Sequence, residues 1–249
     1  MRSHLHFGAQ RLPGEVKVRV FTPVEAIDGW SSPHTIVHLL LDDMPFVVDS
    51  LTAAMVQHTR GLIRVTHPIF NVNRSAAGQL DLSAPLAAAG ASESWCEFVI
   101  HRLLTPAAHA ELEIELQKVL SDVICVNRDW EAMRNTAIAL ADEVVLGHDA
   151  AEVGELLQWL ASNHFTFLGY QRFDAVDGGW RPVPDSALGL LAQAAHTAAA
   201  EQLAPLQLAD SNRVVLLKAP FKSTVHRMVH PQYIGLRIFD EAGVLTHEH

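Results

Sequence analysis

Apolar and polar positions between residues 35 and 72 follow a pattern that predicts one strand-helix-strand unit. Residues 35–41 form an apolar run with β-branched members, and a second β-rich run ends at Val72. Between these runs, apolar residues recur every three or four positions and form one helical stripe: Val47, Val48, Leu51, Ala54, Met55 and His58. Gly61 is expected to end this helix, and the stripe should lie on a sheet.

The two strands of this unit are expected at different places in the sheet. One face of the first strand would carry Val37, Leu39 and Leu41, and the other Ile36, His38 and Leu40. A strand with an apolar face and a mixed face should be central and covered on both sides. The second strand contains Pro68, which has no N–H to donate to a neighbour, so this strand is expected at an edge.

Four further elements are predicted between residues 16 and 126. Alternation at Val16, Val18 and Val20 predicts a short strand, and residues 94–101 predict a longer one. A helix should begin at Pro106 with Thr105 as its cap, and residues 123–126 predict a short closing strand. From residue 35 on, the order is strand, helix, strand, strand, helix, strand. This is the ferredoxin-like arrangement of four antiparallel strands with two helices on one face.

The predicted fold class is therefore α+β, with a ferredoxin-like domain over residues 30–127. Residues 1–29 would be an N-terminal arm with a short strand, and residues 128–148 a linker helix. Residues 149–249 would form a second α+β domain, truncated at its C-terminal end because GVLTHEH stops without a turn or a polar tail.

The second domain is predicted to contain two helices and several strands. Its helices would include Val153 to Leu160 and the Ala-rich residues 186–203, and its strands would include residues 165–173 and 214–218. Turns are expected at 177–179 and 240–243, with two or three strands around the second turn. The polar run 222–227 is interpreted as an ordinary strand face.

Composition and charge exclude several classes of partner. Hydrophobic residues make up 49% of the 249 positions, as in a folded globular protein. The formal charge of −10 argues against nucleic acid and against an anionic membrane surface, since both are bound mainly through Lys and Arg. No signal peptide or membrane-spanning run is present in the sequence, so a cytoplasmic location is expected.

Catalytic and metal motifs are missing from the sequence. His34 and His38, like His226 and His230, are four residues apart on strand-like runs and would lie about 13 Å apart, too far for one ion. No metal site is therefore expected. The sequence has no GxGxxG, GxxxxGK[ST] or GxSxG motif. Cys96 and Cys125 lie in apolar runs and are interpreted as small buried hydrophobes, with a disulfide as the alternative.

The best candidate site is the turn before the first helix. It consists of Asp42, Asp43, Met44, Pro45 and Phe46. Two carboxylates beside the free backbone donors of a helix start could together hold the ammonium and carboxylate of an amino acid. The alternative is structural, with the aspartates capping the helix and Phe46 filling the core.

Five segments of the chain resemble the N-terminal part of the large bacterial NAD-specific glutamate dehydrogenases. They are DDMPFVVDS, RVTHPIF, CVNRDWEAM, WLASNHFTFLGYQRF and STVHRMVHPQYIGLRIFDEAGVL, in the same order as in that family. The resemblance implies ACT-type domains and a full-length enzyme that uses NAD to deaminate L-glutamate oxidatively to 2-oxoglutarate. In the family the catalytic lysine, the aspartate and the nucleotide site lie far downstream. This chain is therefore expected to be non-catalytic and to bind no cofactor.

The resemblance also implies partners, and it leaves two functional hypotheses open. ACT-type domains often bind amino acids at the loop after the first strand, and they often associate with one another. Here Phe46 stands where ligand-binding members have a glycine after the proline, which favours an architectural role. The first hypothesis is a regulatory and oligomerising region that acts on its own downstream catalytic domain in a homo-oligomer. The second is a sensor of an amino-acid effector that acts on another enzyme.

Overall fold

The protein consists of two α/β units with antiparallel sheets. The computed structural model describes residues 2–59, 61–82, 90–144, 150–177, 179–193 and 213–249. Unit 1 is Met1–Ser121 and unit 2 is Asp122–His249, so the division falls within a helix and not at residues 127–128. In the parts of the chain with described coordinates, no helix combines the length and the apolar character needed to cross a bilayer.

Among the described residues, four helices and five strands begin in unit 1. They are α1 (Arg2–Phe7), β1 (Lys17–Phe21), α2 (Glu25–Asp28), β2 (Thr35–Asp42), α3 (Val47–His58), β3 (Leu62–Thr66), β4 (Ile69–Val72), β5 (Ala91–Ile100) and α4 (Pro106–Glu143). The sheet order is β1-β2-β5-β3, and β4 also pairs with β5. All pairs are antiparallel.

The positions predicted for the two strands around α3 are confirmed. Strand β2 lies between β1 and β5, and residues 35–41 are all buried. The second predicted strand is divided into β3 and β4 at residues 67–68, and both parts pair only with β5 among the described strands. Pro68 lies at this break, where its missing N–H leaves no gap in the ladder.

The predicted strand at 123–126 is wrong, and so is the separate linker helix after it. Both belong to α4, which runs unbroken for 38 residues. The buried apolar positions continue through the region at spacings of three, four or seven: Leu112, Leu116, Leu120, Val123, Val126, Met133, Ala137 and Leu140. β-Branched residues are only weakly unfavourable in helices, so the periodic burial decides the structure. The predicted cap is confirmed, because the N–H of Ala108 donates to Oγ1 of Thr105 at 3.1 Å.

Strand β1 occupies the sheet position that the ferredoxin-like order would give to the last strand. It pairs along its whole length with β2, with Val20 opposite Val37. Apart from the short helices α1 and α2, unit 1 therefore runs strand, strand, helix, two short strands, strand, helix. Because β1 and α1 belong to unit 1, the N-terminal arm is part of the sheet domain.

The two faces of the sheet in unit 1 are covered by different parts of the chain. The face that carries His38 and Trp95 is covered by α1, where His4 stacks on His38 with ring centroids 4.2 Å apart. The opposite face carries Leu39, Cys96 and Phe98, which are fully buried. The apolar stripes of α3 and of the part of α4 in unit 1 are also buried, as expected of helices that cover this face.

Unit 2 contains the end of α4 and many short elements. They are α5 (Ala150–Trp159), a π-helical turn (Leu160–His164), β6 (Gly169–Tyr170), β7 (Phe173–Val176), β8 (Gly179–Pro182), β9 (Leu188–Gly189), a 3-10 turn (Leu190–Ala192), β10 (Val214–Lys218), β11 (Gln232–Phe239) and β12 (Leu245–Glu248). The main sheet has the order β10-β11-β12-β7-β8, and β6 pairs with β9.

Several predictions for unit 2 are confirmed. The helix after residue 150 and the strand at 214–218 are present. Strands β11 and β12 are joined at the predicted turn, where the N–H of Gly243 donates to the carbonyl of Asp240 at 3.0 Å. Strands β7 and β8 form a hairpin with Val176 opposite Gly179, and residue 178 lies outside the described residues.

Three other predictions for unit 2 are wrong. The strand at 165–173 is reduced to β6 and the start of β7, and residues 222–227 form bends and no strand face. The helix predicted to begin at residue 186 is replaced there by β9 and the 3-10 turn. Gly189 explains this, because its φ is +59° and a Cβ on it would lie 2.4 Å from the carbonyl oxygen of Leu168. Residues 194–203 of that helix lie outside the described residues.

Candidate functional site

The candidate loop lies between β2 and α3, as predicted. Asp42 ends β2 and is half-buried, Asp43 and Pro45 are exposed, and Met44 is partly buried. Phe46 is the residue before the helix and has a φ of +71°, with no side-chain cap. Its carbonyl instead accepts hydrogen bonds from the N–H and the Oγ of Ser50, at 3.1 and 2.6 Å. The prediction that the aspartates cap the helix is therefore wrong.

The carboxylates of this loop are held by groups of the chain itself. Arg11 donates to Asp42 through Nη2 at 2.7 Å. Ser94 donates its hydroxyl to Asp43 at 2.6 Å, and the N–H of Asp43 donates to the carbonyl of Ser92 at 2.9 Å. The sequence thus predicted the position of the loop but not these partners, which occupy the groups proposed to bind an amino acid.

Glu93 is the centre of a buried polar cluster beside the loop, which we call the Glu93 network. Its carboxylate accepts hydrogen bonds from Nη1 of Arg11, from Nε and Nη2 of Arg74, and from Nε1 of Trp95, at 2.7 to 3.1 Å. Arg11 is 2% exposed and Glu93 is 1% exposed. Buried charges are tolerated only when they are paired and hydrogen-bonded. The buried side chain of Arg11 must therefore stay in contact with Glu93 on strand β5.

The electrostatics of Glu93 agree with this arrangement. Burial alone would raise the pKa of Glu93, but the hydrogen bonds and charges of Arg74, and then of Arg11, outweigh burial and lower the pKa below its usual value. Glu93 is therefore ionised at neutral pH, and each arginine has an anionic partner. The network stabilises the fold and offers no free acid or base.

The backbone near Gly78 positions Arg11. The N–H of Arg11 donates to the carbonyl of Gly78 at 2.9 Å, and Nη1 of Arg74 donates to the same carbonyl at 2.9 Å. Gly78 has a φ of +80°, and a Cβ there would lie 2.5 Å from the carbonyl oxygen of Arg11. Only glycine fits this close approach without strain.

A second cluster, the histidine cluster, consists of His4, His38 and Glu97. Nε2 of His38 lies 3.2 Å from Oε2 of Glu97, and Nη2 of Arg64 donates to Oε1 at 2.8 Å. Nε2 of His4 lies 3.4 Å from the carbonyl oxygen of Leu39. Each of the three residues offers a donor atom, and these atoms lie within 4.8 Å of one another. The spacing of histidines in the sequence did not predict this cluster, because its three residues lie 34 and 59 positions apart.

The pKa values of His4 and Glu97 favour a neutral imidazole on His4 and an ionised carboxylate on Glu97. Burial, reinforced by His38, lowers the pKa of His4 to about 4. The hydrogen bond from His38, together with the charge of Arg64, lowers the pKa of Glu97 to about 2 against the effect of burial. The Nδ1 atom of His38 is buried without a hydrogen-bond partner.

The two cysteines are free and buried, which confirms their interpretation as small buried hydrophobes. Burial raises the pKa of Cys96 to about 12 and raises that of Cys125 as well. The Cys125 thiol lies 2.9 Å from the carbonyl oxygen of Gly189. Both thiols are therefore protonated at neutral pH, which does not suit a nucleophile.

Unit 2 contains an apolar cavity of about 270 Å³. Its wall includes Leu140 and Leu157 from the helices, Phe167 and Leu190 from the loops, and Ile234 from β11. The hydroxyl of Tyr170, also in the wall, forms a 2.6 Å hydrogen bond with Nδ1 of His249. No sequence motif pointed to this cavity, because its lining comes from six separate segments.

Comparison with known proteins identifies the family. A sequence profile described as "Glutamate dehydrogenase, ACT1 domain" matches residues 1–137, more than half of the chain. The chain belongs to this glutamate dehydrogenase family. The ACT1 match extends over all of unit 1, including α1 and β1, and the resemblance stated from sequence motifs is confirmed.

Individual members of the glutamate dehydrogenase family match nearly the whole chain. An NAD-specific glutamate dehydrogenase of Pseudomonas aeruginosa is 34% identical over 252 residues, covering 93% of this chain and 15% of the relative. Those of Halomonas elongata and Mycobacterium tuberculosis are each 29% identical and cover 96% and 98% of this chain. The chain spans only 15 to 16% of the length of these relatives.

Proposed function

We propose that this chain is the non-catalytic N-terminal regulatory and oligomerisation region of a cytoplasmic NAD-dependent glutamate dehydrogenase. The full-length protein would deaminate L-glutamate oxidatively to 2-oxoglutarate, and NAD would bind in a separate catalytic domain. The observation that carries this proposal is the ACT1 match together with relatives that are about six times longer than the chain.

The chemistry of the described residues supports a structural role. The Glu93 network pairs its charges internally, and both thiols are protonated. The candidate loop uses Asp42 and Asp43 to hold Arg11 and Ser94. An amino acid that bound to Asp42 through its ammonium group would have to displace a guanidinium that is 2% exposed. This cost favours the oligomerising role over amino-acid sensing.

Turnover by the purified chain tests the non-catalytic role. The 249-residue protein would be mixed with L-glutamate and NAD, and NADH formation followed by its absorbance. We expect no NADH above the protein-free control, while a full-length relative under the same conditions produces it. Turnover by the chain alone would disprove the proposed division of roles.

Thermal shift measurements separate the two remaining functions. The melting temperature of the chain would be measured with each of the twenty amino acids added in turn. The oligomeric state of the chain would be measured by sedimentation. An oligomer with no selective rise in melting temperature supports the oligomerising role, because a ligand that binds only the folded state must stabilise it. A selective rise that is lost in Asp43→Asn but kept in the exposed control Asp49→Asn would support sensing instead.

A further inference from the structure

The apolar cavity inside unit 2 is large enough to hold a small molecule. Its volume is about 270 Å³, and its wall includes residues of α4, α5, the π-helical turn and β11. Protein interiors are close-packed and contain few voids larger than a water molecule. An engineered apolar cavity of about 150 Å³ stays dry and binds benzene. By that measure, this cavity has room for about ten non-hydrogen atoms.

The wall of the cavity contains a buried polar atom without a partner. Nδ1 of His249 forms the 2.6 Å hydrogen bond with the hydroxyl of Tyr170, but Nε2 of the same ring is buried and has no hydrogen-bond partner. Among the described residues of the wall, no other side chain has a buried nitrogen or oxygen in this condition. Since buried polar groups are normally hydrogen-bonded, Nε2 indicates that a further group belongs in the cavity.

The missing partner of Nε2 is a hydrogen-bond acceptor. A phenol is a far stronger acid than the N–H of neutral imidazole, so Tyr170 donates to Nδ1 and the ring proton lies on Nε2. Burial, followed by the charges of His247 and Arg172, lowers the pKa of His249 to about 4, so the ring is neutral at pH 7. The positive potential of Arg172, which opposes protonation of the ring, stabilises an anion beside it. A carboxylate suits this end of the cavity.

The composition of the wall selects among acids. None of its described residues is an aspartate or a glutamate, so an ammonium group would enter the cavity without a carboxylate to neutralise it. The wall is mostly apolar and includes Leu140, Leu157, Phe167 and Ile234. An acid with an apolar body and no amino group therefore fits better than an amino acid does.

We propose that unit 2 binds an apolar carboxylic acid of about ten non-hydrogen atoms, whose body fills this cavity and whose carboxylate accepts a hydrogen bond from Nε2 of His249. That hydrogen bond and the charge of Arg172 offset the cost of burying the carboxylate. The wall lies entirely in unit 2, whereas the candidate loop, residues 42–46, belongs to unit 1. Acid binding is therefore a function additional to the oligomerising role proposed above.

Calorimetric titration of the 249-residue protein with 3-phenylpropionate tests the proposal. This acid has a size that fits the cavity, and L-phenylalanine is the matched control because it is the same molecule with an ammonium group added. We expect one equivalent of 3-phenylpropionate to bind. L-phenylalanine should bind at least about tenfold more weakly, because its ammonium group would be buried without a counter-charge.

His249→Phe tests the hydrogen bond to the carboxylate, since it removes the donor and keeps an aromatic ring. It should weaken the binding of 3-phenylpropionate about tenfold, as expected for a hydrogen bond to a charged group. The affinity for ethylbenzene, which has an apolar body and no carboxylate, should stay the same. His164→Phe is the exposed control and should change neither affinity.

Ala137→Leu tests the location of the ligand. Ala137 is a buried residue of the wall, so a larger side chain there should weaken the binding of both 3-phenylpropionate and ethylbenzene. Ala139→Leu, exposed on the same helix, should have no such effect. If circular dichroism shows that Ala137→Leu does not fold, Ala219→Leu at another buried position of the wall replaces it.

Three results would overturn the proposal. They are no binding of 3-phenylpropionate, equal or tighter binding of L-phenylalanine, and unchanged binding in either the folded His249 variant or the folded cavity variant. None of them would affect the oligomerising role, which sedimentation measures separately.

Discussion

At the scale of single residues, the carboxylate of Glu93 determines how the N-terminal segment is held. It receives hydrogen bonds from two arginines that lie 82 and 19 positions away in the chain. Both guanidinium groups are buried or nearly so. The removal of this one charge would leave two cations beside a neutral side chain in the interior.

Glu93→Gln is therefore expected to reduce the free energy of unfolding by about 3 to 5 kcal/mol. The measurement is urea unfolding at neutral pH. The control is Glu115→Gln, whose pairs with His58 and Lys118 are exposed and longer, at 3.7 and 3.8 Å. Glu115→Gln should reduce the free energy of unfolding by less than about 1 kcal/mol. Equal effects of the two substitutions would contradict the buried role of Glu93.

Gly78→Ala should destabilise the protein more than Gly14→Ala does. Both glycines have a positive φ, of +80° and +74°, so alanine costs about 1 to 2 kcal/mol at each for backbone conformation. Only Gly78 has a neighbour in the way, the carbonyl oxygen of Arg11 at 2.5 Å, whereas nothing lies within 4 Å of a Cβ on Gly14. The measurement is the denaturant midpoint of each variant. Equal losses of stability in Gly78→Ala and Gly14→Ala would show that the contact with Arg11 is unimportant.

The location of the candidate loop could be predicted from the sequence, but its contacts could not. Asp42 and Pro45 mark the end of a strand and the start of a helix by local rules. The partners Arg11 and Ser94 come from distant segments that meet only after the sheet has formed. No local pattern specifies such long-range pairs. The histidine cluster was missed for the same reason.

At the scale of elements, α4 shows how periodic burial outweighs local propensity. The segment around Val123 is rich in β-branched residues, which favour a strand over four or five positions. Over the longer window, buried residues keep helical spacing from Leu112 to Leu140. Strands β2 and β5 were predictable because each contains a short, mostly apolar run, and nearly all residues of these runs are buried on both faces of the sheet. In α4 the local β-propensity and the helical spacing of the apolar residues conflict, and the helical spacing over the longer window decides the structure.

Ser121→Pro tests the continuity of α4. Ser121 is exposed in the middle of the helix, so proline should cost about 3 kcal/mol or more by removing a backbone hydrogen bond and clashing with the preceding turn. Ser121→Ala at the same position should change stability by less than about 0.5 kcal/mol. Urea unfolding and helical circular dichroism provide the measurement. If Ser121→Pro left stability and helicity unchanged, the result would favour the strand predicted at residues 123–126.

At the scale of the whole molecule, acid should destabilise both units. The lowered pKa of Glu97, about 2, contributes stability that is present above about pH 4.5 and is lost toward pH 2. The lowered pKa of Glu93 acts in the same direction, so its contribution is also lost as the pH falls below 4.5. Burial lowers the pKa values of His4 and His249 to about 4, so the contributions of both are complete above pH 6.5 and are lost as the pH falls toward 4. The free energy of unfolding should therefore be constant between pH 7 and 8 and should decrease when the pH is lowered below 6.5.

His249→Phe should make the pH dependence of stability less steep between about pH 6.5 and 5, while His4 still contributes. His249 reduces the free energy of unfolding by at most about 1.4 kcal/mol for each unit by which the pH falls, because the unfolded state binds the proton first. The readout is the slope of unfolding free energy against pH, since the lost hydrogen bond to Tyr170 lowers stability at every pH. The exposed control His164→Phe should keep the slope. An unchanged slope in the His249 variant would contradict this assignment.

The position of β1 at the edge of the sheet affects which shorter fragments of the protein should stay in solution. A fragment that began near Trp30, where the motif resemblance starts, would lack β1, which pairs with one edge of β2, and Arg11, one of the two arginines that pair with Glu93. The newly bared edge of β2, with the sequence TIVHLLL, would then be open to pairing with other chains. Such a fragment should precipitate on expression, whereas one that keeps the first twenty-nine residues should remain in solution.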